Sequence, residues 1–367
     1  MKSCDVVVFA GTTPWSVLSL CRMAHNMGAR AYCVCVDFQA PQCYQNNQYV
    51  YKVYSVSSDN LGAFWKDFFR TNTFEEKPIL FTTTDNSCLL VDDNRAFYEK
   101  SFKLCLPSSF IIQAFNDKSK SLDAARKNGL TLPLSIDLDK YEEKNEEIKK
   151  IKYPVIVKPV SAAEHEKCGF KYKIINNSIE FANIVNVLRE DGRRYVCQEY
   201  IEGDDKDCKF YIFYRNAEGE LLECMGEKTM QSNGIMAIGT TKFDEQLGLI
   251  CRQFLEKIGY EGIGGIEFKR KGDNYYFIEM STRTEGFLPI SDMSEVSVAQ
   301  AAYLDINNQT IDRKQQKESV RYVVPRLWIR KSYKEKRFCE FIKESFLFLF
   351  DKNTYFVSSY FKEPFLR

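Results

Sequence analysis

Gly265-Ile266-Glu267-Phe268-Lys269 and, just downstream, Ile278-Glu279-Met280-Ser281-Thr282-Arg283 are the two stretches on which the fold turns. Each alternates or masses apolar residues as a sheet strand does. Between them Gly272-Asp273 supplies a turn, so residues 263–269 and 274–280 are expected to form a hairpin. Glu267 and Glu279 are 12 positions apart on its two arms, a spacing that can put both carboxylates on one face of the sheet.

The chain leading to this hairpin is rich in strands. Runs at 154–160, 171–175, 194–201, 208–215 and 220–226 read as β, with helices at about 178–190 and 243–258. Further upstream the texture is different. Val6-Val7-Val8-Phe9-Ala10 is a continuous apolar strand of the buried parallel type. Gly11-Thr12-Thr13-Pro14 makes a turn, Trp15 to Met27 has helical spacing, Gly28 stops it, and Ala31 to Val36 is the next strand. The expected class is therefore α/β and α+β: an N-terminal parallel α/β domain over 1–110, a strand-rich body over 111–310 and a C-terminal segment over 311–367. Gly11 begins no G-x-G-x-x-G run, so it reads as a tight turn. Thr82-Thr83-Thr84-Asp85, at the end of the strand Ile79-Leu80-Phe81, reads equally as a ligand loop or as the cap of a helix.

Charged residues accompany the hairpin in a fixed order. Lys118 opens a helix capped by Asn116-Asp117, and Lys158 ends the apolar strand Pro154-Val155-Ile156-Val157. An ammonium at the end of so apolar a strand needs a partner. Gln198-Glu199-Tyr200-Ile201-Glu202-Gly203-Asp204-Asp205 is a strand running into a glycine turn. Two carboxylates with lysines nearby suit a magnesium–nucleotide site, because Mg²⁺ takes one or two carboxylates and completes its shell with phosphate oxygens and water. The lysines offer point charges to phosphates, and Arg283 offers a planar fork to a carboxylate or an oxyanion.

This ordered set resembles the ATP-grasp superfamily, in its branch of carboxylate–amine ligases that includes D-aspartate ligase and proteins of cell-envelope or polysaccharide synthesis. The matching stretches are Tyr153-Pro-Val-Ile-Val-Lys-Pro159, Gln198-Glu-Tyr-Ile-Glu-Gly203, Gly259-Tyr-Glu-Gly-Ile-Gly-Gly-Ile-Glu-Phe-Lys269 and Phe277-Ile-Glu-Met-Ser-Thr-Arg283, within roughly residues 110–305. The resemblance implies that 1–110 is a pre-grasp domain and that about 153–203 forms the lid subdomain. It implies an enzyme that joins a carboxylate to an amine through an acyl-phosphate, using ATP with Mg²⁺ (or Mn²⁺). Lys118 and Lys158 would contact phosphates. Gln198, Glu199, Tyr200 and Ile201 would hold the adenine, and Asp205 the ribose. Lys228 would reach the outer phosphates, Glu267, Glu279 and Ser281 would bind metal, and Arg283 would stabilise the acyl-phosphate. Ser161 to Gly169 would be a lid over the phosphates. Two positions depart from the family pattern: Ser281 stands where Asn is usual, and Thr282 where Pro is frequent. The alternatives left open are a nucleotide-binding regulatory or scaffold protein with weakened catalysis, and a carbamoyl-phosphate-synthase-like enzyme.

Composition narrows the remaining classes. The 367 residues carry 51 Lys+Arg and 50 Asp+Glu, a net charge of +1 that disfavours a globally basic nucleic-acid binder. No apolar run reaches the length of a membrane span. The 13 cysteines are scattered without a Cys-x-x-Cys pair, as expected of buried thiols in a reducing cytoplasm. The near-neutral total is an average of unlike parts. Residues 313–367 hold 14 Lys/Arg against 6 Asp/Glu, with 13 aromatic residues among them. Such a segment suits contact with a membrane surface or lipid-linked substrate, and equally a cover over the body or a homodimer interface.

Overall fold

A computed structural model describes residues 3–138, 146, 150–160, 170–190, 193–232, 234–357 and 365–366. The N-terminal strands β1 (Val6–Phe9), β2 (Ala31–Val36), β3 (Lys52–Val56), β4 (Ile79–Thr82) and β5 (Lys103–Leu104) form one sheet in the order β3-β2-β1-β4-β5. Every neighbouring pair in it is parallel. The apolar run of β1 is continuous because both its faces are covered. Val6 and Val8 pack with Val17, Leu18 and Cys21 of the Pro14–Asn26 helix, whereas Val7 and Phe9 pack with Trp65, Phe68 and Tyr98 on the opposite face.

The body contains two assemblies, one antiparallel and a larger one antiparallel except where its last strands pair in parallel over Arg321–Val323 and Thr354–Val357. β6 (Ser135–Asp137), β7 (Val155–Pro159), β8 (Lys173–Ile175) and β9 (Tyr195–Glu199) form a four-stranded sheet in the order β6-β9-β7-β8. The Ser178–Glu190 helix lays Phe181, Val185 and Leu188 against it. The larger sheet contains β10 (Cys208–Arg215), β11 (Leu221–Ser232), β12 (Ile235–Thr241), β13 (Gly262–Lys271), β14 (Asn274–Ser281), β15 (Arg321–Val323), β16 (Thr354–Val357) and β17 (Phe365–Leu366). Its order is β14-β13-β10-β11-β12-β15-β16-β17. Alternation along β10 divides two cores: Phe210 and Ile212 face one, Tyr211 and Phe213 the other. The fold is thus parallel α/β first and antiparallel α+β after it, the class expected from the sequence.

The C-terminal segment is joined to the body. β15 pairs with β12, and Trp328 and Phe348 pack with Met230, Ile238 and Val323. They come from the helices Pro325–Lys334 and Phe338–Phe350.

Candidate nucleotide site and acceptor cavity

The site is built on the β13–β14 hairpin, and a bulge decides its geometry. Pairing from the turn runs Lys271 with Asn274 down to Phe268 with Phe277, and continued evenly it would set Glu267 opposite Ile278. The register instead shifts between Glu267 and Phe268, so Glu267 pairs directly with Glu279 and Ile278 is the extra residue. Such a bulge re-aims the side chains beyond it. Ile266, Phe268, Phe277 and Met280 pack in one core, and the two glutamates stand together between them.

Four lysines bias this pair. Burial alone would push the Glu279 carboxyl up, but Lys171, Lys118, Lys228 and Lys158 outweigh it and hold it down at about 2. Glu267 behaves oppositely. Its burial raises it, and the adjacent Glu279 adds to the rise against the pull of Lys228, whose Nζ lies 2.5 Å from Glu267 Oε1. Lys228 is itself buried, but Glu267, Glu279 and Glu285 together more than offset the burial, so its ammonium is held charged above the ordinary lysine value. Lys158 is pushed down to about 8 by burial, with Glu279 opposing the fall and Lys118 assisting it.

Two cavities meet at the glutamates. The first, of about 430 Å³, is lined by Lys118, Lys158, Gln198, Glu199, Tyr200, Ile201, Asp205, Glu267 and Glu279. Apolar Ile156, Ile174, Phe268 and Ile278 line it as well, a surface suited to a flat ring. The second, of about 710 Å³, is lined by Lys228, Arg283, Glu267 and Glu279 together with the N-terminal loops Gly11–Thr13 and Thr83–Ser87. Lys171, Gly234, Glu267 and Glu279 belong to both. Ser281 pairs with Gly265 at the end of β14, is buried and lines neither cavity. The expected lid, Ser161 to Gly169, lies outside the described residues.

The elements fix individual side chains. The Lys118 N–H donates to the Val160 carbonyl at 2.8 Å, tying the start of the Lys118–Lys127 helix to the end of β7. Gln198 Nε2 donates to Ser135 Oγ at 3.0 Å. Arg283 is oriented from the N-terminal domain: its Nε donates to Asp85 Oδ1 at 2.8 Å, and Nη1 donates to the Thr284 carbonyl at 3.0 Å. Glu285 Oε2 stands 3.5 Å from the same Nη1. The Thr82–Asp85 stretch is a helix cap at the mouth of a cavity. Thr84 caps the Asp85–Asp93 helix in a reciprocal box with Ser87, and Thr83, Thr84 and Asp85 line the larger cavity. Gly11 is needed there because a Cβ would meet Thr84 Cγ2 at 2.5 Å.

Several lining residues lie outside the sequence reading. Lys331 Nζ donates to Asp205 Oδ2 at 2.8 Å and to the Gln231 carbonyl at 2.6 Å. The Gln231 N–H also donates to Asp205 Oδ2, at 2.8 Å. Arg330 and Lys334, on the same helix, line the smaller cavity beside it. The excess of cations in 313–367 was a signal, but nothing local shows that they return to residue 205. Lys171 carried no signal beyond neighbouring a motif, and the loop reading of Thr82–Asp85 did not reveal that Asp85 meets Arg283.

The donor set fits a magnesium–nucleotide. Among the described residues no group of three or more His, Cys, Asp or Glu side chains gathers as a metal cage. A divalent ion here would rest on two carboxylates and take its remaining oxygens from phosphate and water, as Mg²⁺ does. Comparison with known proteins agrees with this chemistry. Residues 123–286 match the ATP-grasp domain family. The match covers a little under half of the chain. Biotin carboxylase of Haemophilus influenzae is 22% identical over 230 residues, 55% of this chain and 49% of that protein. The chain thus spans about half the length of this curated relative. In three dimensions the chain is similar to N5-carboxyaminoimidazole ribonucleotide synthetase, PurK, in its ADP complex, with a TM-score of 0.69 at 14% identity over 88% of this chain and 81% of that one. It is similar also to biotin carboxylase of Campylobacter jejuni, with a TM-score of 0.67 at 17% identity over 86% of this chain and 74% of that one. These similarities place the β13–β14 hairpin within an ATP-grasp fold.

Proposed function

We propose that the protein is an ATP-dependent carboxylate–amine ligase. One observation carries the reading: the Glu267–Glu279 pair stands where a lysine-lined cavity opens into a larger one. A phosphoryl group held over the carboxylates from one side would face an acceptor held on the other. The similar solved structures support it, among them PurK with ADP and a biotin carboxylase domain of 2-oxoglutarate carboxylase with MgADP and bicarbonate.

In this reading Gln198 to Ile201 flank the adenine, Asp205 holds the ribose, Lys118 and Lys158 bind phosphate oxygens, and Glu267 and Glu279 hold Mg²⁺ or Mn²⁺. A divalent ion so held would draw charge off the phosphates. A substrate carboxylate oxygen attacks the γ-phosphorus as the bond to ADP breaks, giving an acyl-phosphate. An amine nitrogen then attacks the acyl carbon, and the C–O bond to phosphate breaks as the nitrogen loses a proton. Arg283, steadied by Asp85, faces the oxyanion of that second step. Lys228, held beside Glu267, offsets charge on the outer phosphates. Ser281, which lines neither cavity, is the weakest member of the proposed metal set.

The finer reading is a D-aspartate-ligase-like reaction in cell-envelope synthesis. Asp37, Asp85 and Glu285 along the larger cavity suit an ammonium, and Arg283 a carboxylate, so a zwitterionic amino acid meets both. The twelve described cysteines are free thiols, which supports placing the reaction in the cytoplasm. Among the described residues no helix is long and apolar enough to cross a membrane. The test is a screen for ADP release over carboxylate and amine pairs, with D-aspartate and bicarbonate among the carboxylates. Release that needs one pair and Mg²⁺ is expected. ATP binding without release for any pair would instead support a nucleotide-binding scaffold.

A further inference from the structure

Helix Phe338–Phe350 is apolar on both faces. Its inner face is accounted for: Phe341 and Phe348 stack against Trp328 with ring centroids 4.6 and 5.0 Å away, and Trp328 Nε1 donates to Glu344 Oε2 at 2.6 Å. Its outer face is not. Phe338, Ile342, Phe346, Leu349 and Phe350 recur at helical spacing and all stand in solvent, Phe346 63% exposed, Leu349 74% and Phe350 81%. Tyr333, 74% exposed, extends the stripe from the preceding helix and meets the Phe338 ring at 6.4 Å. Of the 18 exposed large apolar side chains among the described residues, 8 fall between 329 and 350. Five of these share one face of the Phe338–Phe350 helix and Tyr333 adjoins it, unlike the scattered singles of an ordinary surface.

The charge around the patch indicates its occupant. Arg326, Lys336 and Lys343 are exposed on the two helices and their connection, against Glu335 and Glu340, while Arg330 and Lys334 turn to the smaller cavity. Glu335 is 3.5 Å from Lys331, which offsets it. An isologous contact between two copies would set one predominantly cationic rim against another. An anionic bilayer surface complements both features, taking the apolar side chains among its acyl chains and the cations among its headgroups. The 13-residue helix is about 20 Å long at 1.5 Å per residue, too short to span a bilayer and suited to lying in its surface.

We propose that the outward face of Phe338–Phe350, with Tyr333 and the flanking lysines, docks the protein on an anionic lipid surface. The proposal stands independently of the ligase reading, since no residue of the face takes part in the reaction. The test is co-flotation of the full-length protein with phosphatidylcholine vesicles, with and without phosphatidylglycerol, at low and high salt. Most of the protein is expected to float with the anionic vesicles, and several-fold less with neutral ones or at high salt. The variant F346D/L349D/F350D, altered only at exposed positions, is expected to lose flotation at least fivefold with its thermal midpoint unchanged. K336E/K343E is expected to lose the anionic preference alone. Absence of flotation with anionic vesicles overturns the proposal, as does flotation that the triple variant leaves intact. A dimer in sedimentation velocity that the triple variant dissociates, with no flotation, would assign the face to a second copy instead.

Discussion

Glu279 and Glu267 are the same residue type a strand spacing apart, yet their surroundings drive them in opposite directions. Lysines keep Glu279 ionised down to about pH 2, leaving it ready for a cation, whereas Glu267 is raised by burial and rests on Lys228. Lys158 changes charge within reach of working pH. Burial lowers it to about 8, so the free protein loses that charge as pH rises through 8. A polyphosphate favours the charged form, and ATP affinity should therefore fall between pH 7 and pH 9. Lys158→Arg, which cannot deprotonate there, should flatten the dependence. Calorimetric titration at the two pH values checks this. An equal slope in both proteins would remove Lys158 from the phosphate site. At this scale much was legible, because Lys118, Lys158, Gln198, Glu267 and Glu279 sit in recognisable local runs. Lys171 was not, and neither was the pairing of Asp85 with Arg283, because charged residues reveal no distant partner until the chain is folded.

At the scale of the element, the hairpin shows where reading along the chain stops. Its arms and turn follow from alternation and Gly272-Asp273, but the bulge at Ile278 does not. A plain hairpin would have faced Glu267 with Ile278, so the spacing of 12 was necessary and not sufficient. β11 carries a related constraint. A Cβ on Gly226 would meet the Thr240 carbonyl at 2.1 Å and Phe210 Cζ at 2.7 Å. Gly226→Ala should cost about 1–3 kcal/mol by urea denaturation, as overpacking does, because the closest atom is backbone. A loss below about 0.5 kcal/mol would show that β11 and β12 shift freely. The Pro325–Lys334 helix makes the complementary point. Lys331 holds Asp205 across more than a hundred residues, a placement fixed by β15 joining β12. Lys331→Met should weaken ATP binding about tenfold, or about 1.4 kcal/mol, and leave the melting temperature nearly unchanged. Unaltered affinity would leave Lys331 a purely structural tie.

For the whole molecule, the architecture explains why the reactive centre lies where it does. The parallel sheet presents the ends of β1 and β4 to one cavity, the antiparallel sheets enclose the other, and β13–β14 is the edge they share. The two fold classes were readable from the switch between continuous apolar strands and alternating ones. The path of the last fifty residues was not, because sheet pairing across such sequence distances leaves no periodic trace. The separation of charge also resolves at this scale: the basic segment divides between a face turned to the smaller cavity and an apolar face turned outward. Equilibrium binding of ATP to the full-length protein, with Mg²⁺ and with chelator, in wild type and in Glu267→Gln and Glu279→Gln, tests the nucleotide site most directly. Magnesium-dependent binding that weakens at least tenfold in each variant is the expected result. Binding indifferent to magnesium and to both substitutions, or no binding at all, would contradict it.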